Sequence, residues 1–385
     1  MDNLSDMTTT ALHKSPIREF HASQNAQMVE YAGWEMPIKY EGIVAEHNQV
    51  RSSGGMFDVS HMGRLEIKGL HAKRLLEHTC TRLIGSMQEG QCRYSFMCNP
   101  HGGVLDDVIV MRMDDDEFMV VVNAANREKI IAHLEEVITR REFKVKVTDK
   151  TFKTAMLAAQ GPRIMELISG VSKEIPTLKK FRFLTKNLLV LKLVVSRTGY
   201  TGEDGVEVIL PASGVNMAMK LLMKDIDPKA DDAPMKPAGL GCRDTLRLEA
   251  GMPLYGHELG EDISALACGF NFAIALNKNE EEHGETFIGQ EALQKIADAG
   301  GPELTLVGLE LDGKRTARQG MPVLDASGEK IGDVTSGCMS PTLGKSIAMA
   351  YVRTGALDEG GACKIDAGRA QLDAKRVALP FYKKG

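Results

Sequence analysis

The chain has 385 residues, of which 43% are apolar and 26% charged, an ordinary globular mix with length for two or three domains. A net charge of −5 gives no basic field for a nucleic-acid backbone, and no apolar run approaches the roughly 18 residues of a membrane span. The seven cysteines are scattered without a C-x-x-C, and the histidines form neither H-x-H nor H-E-x-x-H. This disfavours a disulfide framework and a catalytic metal, and favours a reducing compartment.

The segment Met1–Thr10 is acidic and polar, with no apolar signal core and no Arg-rich presequence. Arg64–Lys68 alternates as a strand with Leu65 and Ile67 on one face. Val104–Met113 and Glu117–Asn123 are β-rich runs joined by the turn Asp114–Asp116, a predicted hairpin. Ala125–Arg141 carries Ile130, Ile131, Leu134, Val137 and Ile138 at helical spacing, and Phe143–Val147 returns as a strand. Residues 1–150 therefore predict a first α+β domain.

A second α+β domain is expected over residues 151–300. It would hold strands Thr154–Ala159, Leu188–Val195 and Val206–Leu210, and helices from Pro162 to Ser169, Val215 to Met223 and Leu240 to Ala250. Gly251 and Pro253 stop the last of these. From Leu304 the pattern changes to short strands with regular turns (LTLVGLEL, MPVLD, KIGDVTSG, SIAMAYV, ACKIDA). Residues 301–385 thus predict a small all-β barrel or sandwich beyond a boundary at Ala297–Pro302.

Four segments suggest chemistry. In Gly102–Val110, Asp106 and Asp107 interrupt an apolar strand. Successive strand side chains face opposite ways, so one carboxylate turns toward an interior or a cavity, unless both sit hydrogen-bonded at the strand start. In Arg197–Glu207, three glycines make a tight turn flanked by Tyr200 and Glu207. A phenol and a carboxylate so placed suit a heterocyclic ligand, or merely line a hairpin. Arg243 and Arg247 share a helix face, as a carboxylate clamp or as members of an internal ion-pair network. His61 is either a base or a structural histidine.

Six segments occur in order: Tyr31–Pro37 (YAGWEMP), Gly55–Gly63 (GMFDVSHMG), Gly102–Val110, Tyr200–Glu207, Arg243–Gly256 and Thr335–Gly344 (TSGCMSPTLG). Together they resemble the aminomethyltransferase, or T-protein, family of the glycine cleavage system, from about His13 to Tyr382. The resemblance implies an α+β fold of three domains in a cloverleaf around a central channel, with the third domain a β-barrel. It implies transfer of the one-carbon unit from the aminomethyl-lipoyl arm of the H-protein to tetrahydrofolate, releasing ammonia and giving 5,10-methylenetetrahydrofolate. Tetrahydrofolate would be the acceptor substrate and the lipoylated H-protein the partner, with no nucleic acid, membrane or metal involved. The family setting would be the cytoplasm of a bacterium or the mitochondrial matrix of a eukaryote.

The resemblance assigns the catalytic carboxylate to Asp106, near the folate's two reactive nitrogens. It assigns Glu207 to the pterin N–H donors, Tyr200 and Asn123 to the pocket, and Arg243 to the glutamyl or benzoyl part of the folate. Met62 and Tyr94 correspond to wall positions, and Tyr382 to a C-terminal contact. Phe272 stands where many relatives carry tryptophan, so stacking area is reduced. Two rival readings share the pocket: a tetrahydrofolate-dependent O- or S-demethylase, and a non-enzymatic folate-binding factor for iron–sulfur assembly or tRNA modification. The latter branch carries a cysteine where Thr286 stands here.

Overall fold

The computed structural model describes residues 11–188 and 191–384; Met1–Thr10, and residues 189 and 190 of the expected Leu188–Val195 strand, lie outside the described residues. A five-stranded antiparallel sheet runs in the order Cys92–Cys98, Val104–Asp114, Glu117–Val122, Gly63–Lys68 and Lys146–Asp149. One face is covered by the helices Ala72–Thr79 and Arg127–Arg141, whose apolar stripes (Leu75 and Leu76; Ile130, Leu134 and Val137) pack on Leu65, Ile67, Val108, Val110, Phe118 and Val120. The last strand starts three residues later than expected. Glu142 ends the helix in the left-handed region (φ 53°), and Phe143 folds back onto the helix core with its N–H on the Ile138 carbonyl.

The second sheet has six strands, in the order Phe183–Leu188, Leu191–Ser196, Gly205–Pro211, Thr154–Gln160, Gly55–Asp58 and Lys236–Pro237. The last pair is parallel. Helices Ile164–Ser169 and Val215–Leu222 cover its outer face. Its inner face, with Phe57, Met156, Ala158 and Ile209, meets the uncovered face of the first sheet through Met111 and Val121. The two sheets thus confront each other, and the alternation of each strand sends every second side chain into the space between them.

The contiguous division into residues 1–150 and 151–300 is not what the strand pairing shows. Gly55–Asp58 is a strand of the second sheet, in register with Leu157–Gln160. In the other direction, Leu259, Ala265, Cys268, Phe287 and Leu293 return to pack on Phe96, Cys98 and Val104 of the first sheet. The two units are interleaved because each completes its core with a segment from the other's stretch of sequence.

Residues from Leu304 onward form a closed six-stranded barrel around Val307, Leu309, Val323, Ile331, Val334, Ala350, Val352 and Ile365. Its sixth strand, Gln371–Val377, escaped the sequence pattern because only Leu372 and the small Ala374 of that run are buried. The barrel seats Ile347, Met349 and Tyr351 against Leu248, at the end of the helix Leu240–Glu249. Among the described residues, no helix is long and apolar enough to cross a membrane.

Candidate active site

A cavity of about 480 Å³ lies where the two sheets face each other and the helix Leu240–Glu249 closes the side. That volume falls within the range of small-molecule sites. Its floor is the aspartate strand, Val104–Asp114. Strand alternation turns Asp106, Val108 and Val110 toward the covering helices and leaves Asp107, Ile109 and Met111 on the cavity side.

The expectation for Asp106 is therefore corrected in position. Asp106 is fully buried beneath the floor and does not line the cavity; the carboxylate that does is Asp107. The two are joined by one amide. Asn123 Nδ2 donates to Asp106 Oδ1 at 2.8 Å and to Asp107 Oδ1 at 2.6 Å, while the Asn123 backbone N–H donates to Asp106 Oδ2 at 2.9 Å. Asn126 Nδ2 donates to Asp106 Oδ1 at 2.6 Å, and the Tyr94 hydroxyl to Asp107 Oδ2 at 3.1 Å. No cation pairs with either carboxylate among the described residues. Burial raises both: Asp106 is pushed up to about 7, with repulsion from Asp107 adding to burial, and Asp107 to about 6, with Tyr94 and Asn123 opposing the rise.

The opposite wall comes from the second sheet and the glycine turn. Glu207 lines the cavity, and its Oε2 accepts the Thr198 hydroxyl at 2.5 Å. Tyr200 donates its hydroxyl to the Pro253 carbonyl, which fixes the ring as a wall. The Arg243 guanidinium lies 4.7 Å from the centre of that ring, and its Nη1 is buried with no hydrogen-bond partner. The two arginines of the motif differ. Arg247 is buried and consumed by Glu258 (2.9 Å), Asp244 (2.8 Å) and Ser336 (2.8 Å), while Arg243 is half-buried and lines the cavity.

His61 lines the cavity edge-on to Tyr31, with ring centres 5.4 Å apart. Burial pushes it down to about 3, so it stands as a neutral imidazole and not as a standing charge. Met62, Tyr94 and Phe272 line the cavity. Phe272 is 56% exposed, which puts it at the rim, where it joins Tyr94 and Phe270 in an aromatic cluster. Tyr382 is corrected: it is not in the cavity wall. Its hydroxyl donates to Glu203 at 2.8 Å and the Arg51 guanidinium sits 3.9 Å over its ring, at the junction with the barrel.

Sequence reasoning had weighed Asp107 only as the partner of Asp106. Phe270, Thr198 and Tyr255 were missed; they reach the cavity from loops and a strand end, where no periodic signal marks a facing direction. The barrel, expected to flank the channel, supplies no lining side chain. It holds the wall from behind, through Ser336 on Arg247 and through Ser340 and Thr342 on Glu249.

Comparison with known proteins bears on this geometry. Residues 17–278 match the family model of the GCVT N-terminal domain, and residues 305–383 that of the glycine cleavage T-protein C-terminal barrel domain. An aminomethyltransferase of Rubrobacter xylanophilus is 43% identical over 375 residues, covering 97% of this chain and 95% of that protein. One of Moorella thermoacetica is 40% identical over 374 residues, covering 97% and 98%. The crystal structure of the glycine cleavage system aminomethyltransferase T from Bartonella henselae superposes with a TM-score of 0.87 at 30% identity, covering 97% of this chain and 98% of that one.

Proposed function

The chain belongs to the glycine cleavage T-protein family and is an aminomethyltransferase, and from that premise we propose that its cavity takes tetrahydrofolate as acceptor and admits the aminomethyl-lipoyl arm of the H-protein. One observation carries the reading: a cation-free carboxylate, Asp107, lines the same cavity as a half-buried guanidinium, Arg243, whose buried Nη1 has no protein partner. A site built only for stability would have paired such groups.

The residues fit a reduced folate. Glu207 offers a carboxylate to the N–H donors of a pterin, and Tyr200 and Tyr94 flank it with aromatic surface. Arg243 is free to take a carboxylate or carbonyl oxygen of the same ligand. Phe270 and Phe272 line the rim, where the lipoyl arm would enter.

The transfer breaks the bond from carbon to the amine nitrogen and the bond from carbon to sulfur, and forms two bonds from that carbon to acceptor nitrogens. Two N–H protons leave the acceptor; one departs with ammonia and one with the thiol. Loss of either leaving group puts positive charge on the carbon. Asp107, ionised beneath it, stabilises that charge and relays a proton. A carboxyl raised to about 6 is ionised near neutrality yet more basic than an ordinary aspartate, as the proton relay requires. Asp106 acts from beneath the floor, on Asp107 and Asn123.

Incubation with aminomethylated H-protein and tetrahydrofolate should yield ammonia and methylenetetrahydrofolate in equal amounts. Asp107→Asn should lower kcat by about 10²–10⁴-fold and leave folate affinity within a few fold. Undiminished turnover by Asp107→Asn would contradict the assignment. Methyl transfer from a small ether or thioether without ammonia would favour the demethylase reading, and folate binding without turnover the non-enzymatic one.

A further inference from the structure

We propose that Asn126 is a positioning residue for the transfer reaction, acting through Asp106 and Asn123 to hold the Asp107 carboxylate in its cavity-facing orientation. The inference rests on the reading of Asp107 given above and extends it to a residue outside the cavity.

Three observations carry it. Asn126 is buried, and its Nδ2 lies 2.6 Å from Asp106 Oδ1. That same oxygen accepts Asn123 Nδ2 at 2.8 Å, and the Asn123 amide reaches on to Asp107 Oδ1 at 2.6 Å. A chain of side-chain hydrogen bonds thus runs from Asn126 beneath the floor to the carboxylate in the cavity, and its far oxygen is held by Tyr94. The third observation is where Asn126 stands. It closes the 3-10 turn Ala124–Asn126 that runs into the helix Arg127–Arg141, and its own backbone is helical (φ −99°, ψ −5°). Its side chain makes no capping bond to the helix, and its amide goes to Asp106.

The geometry explains why that carboxylate needs fixing. Asp106 has no cation to hold it, so its orientation depends on amide donors alone. Without Asn126, Oδ1 keeps a single donor, Asn123 Nδ2. The Asp106 group is then held by Asn123 alone, through its backbone N–H on Oδ2 and its amide on Oδ1, and the aim of that amide at Asp107 loses its outside anchor. A displacement of the order of 1 Å at a reacting group can cost up to about a hundredfold in rate.

The test compares Asn126→Ala, Asn126→Ser and Asp107→Asn with the double variant Asn126→Ala/Asp107→Asn, using aminomethylated H-protein and tetrahydrofolate in single-turnover ammonia release. Serine keeps a polar side chain at this position, but its hydroxyl is too short to replace the asparagine reach to Asp106. The proposal expects a roughly ten- to hundredfold lower kcat in both single Asn126 variants, with KM for tetrahydrofolate within about twofold. It expects less than about a twofold further loss when Asn126→Ala is added to Asp107→Asn. Wild-type kcat in a folded Asn126→Ser protein would overturn it. So would an equal Asn126→Ala loss in both backgrounds, because the residue would then act independently of Asp107. Undiminished kcat in Asp107→Asn alone would overturn the underlying reading of Asp107 instead.

Discussion

Asp107 and Glu249 are both withdrawn from water, and the protein treats them in opposite ways. At Glu249 burial opposes ionisation, but His47, Ser340 and Thr342 overcome it and hold the carboxyl down at about 2. Arg51 Nη2 adds a charged donor at 2.9 Å, and the Thr342 hydroxyl donates at 2.7 Å. In the aspartate pair the donors are amides and one phenol, no cation is present, and burial prevails. Glu249 joins the helix that carries Arg243 to the barrel, and it is built to stay charged at every physiological pH. Of the aspartate pair only Asp107 faces the cavity, and burial raises both carboxyls, to about 7 at Asp106 and about 6 at Asp107. Burial alone therefore does not mark a functional carboxylate; what sets Asp107 apart is a cavity-facing position with no matching cation.

This contrast can be broken from either side. The largest expected effect is on the junction. Glu249→Gln takes the carboxylate from His47 and one of two from Arg51, which keeps Glu203 at 3.0 Å, and should cost about 3–5 kcal/mol of stability at pH 7, read by urea unfolding. The sign with pH is fixed by the depressed carboxyl. The stabilisation is present above the unfolded value of 4.5 and is lost as pH falls toward about 2, so the gap between variant and wild type should narrow in acid. The aspartate pair runs the other way: its raised carboxyls make the folded state less favourable as pH climbs from 3.8 toward 7. Next, Arg243→Met removes a cation that no protein group holds at Nη1. Folding should be unaffected, while tetrahydrofolate binding, followed by calorimetry, should weaken by about ten- to a hundredfold.

Two smaller effects sharpen the cavity side. Tyr94→Phe deletes a hydrogen bond that opposes the rise of Asp107. The acid limb of the kcat–pH profile should therefore move to higher pH, by a few tenths to about one unit. Phe272→Trp enlarges an exposed aromatic rim and should tighten folate binding by only about two- to fivefold. A shift of that limb to lower pH, or weaker binding in the tryptophan variant, would show that these groups do not meet the ligand as described.

Much of this was legible in the residues. The hairpin around Asp114–Asp116, the helix ending at Arg141 and the barrel beyond Leu304 follow from periodicities that local packing enforces. Two carboxylates between apolar strand residues pointed to an interior or a cavity on one side, with a hydrogen-bonded strand start as the alternative. Which of the twins faced it was not legible. Alternation says that Asp106 and Asp107 point oppositely, but the side on which the helices lie is fixed by Ile130 and Leu134 meeting Val108 and Val110. The interleaving of Gly55–Asp58 into the second sheet was hidden for a related reason, since strand partners distant in sequence leave no local signature. Tyr382 illustrates a third limit: a family position can be matched while its side chain turns to a neighbouring Arg51 and Glu203.

The central claim is that Asp106 and Asp107 form a cation-free, amide-bridged pair that exchanges a proton close to physiological pH. Carbon-13 NMR of aspartate-labelled protein, titrated without ligand and assigned through Asp106→Asn and Asp107→Asn, reads it directly. The account predicts a carboxyl resonance titrating between about 6 and 7 that shifts or vanishes in either variant. Two carboxyls both titrating near the ordinary 3.8 would contradict it.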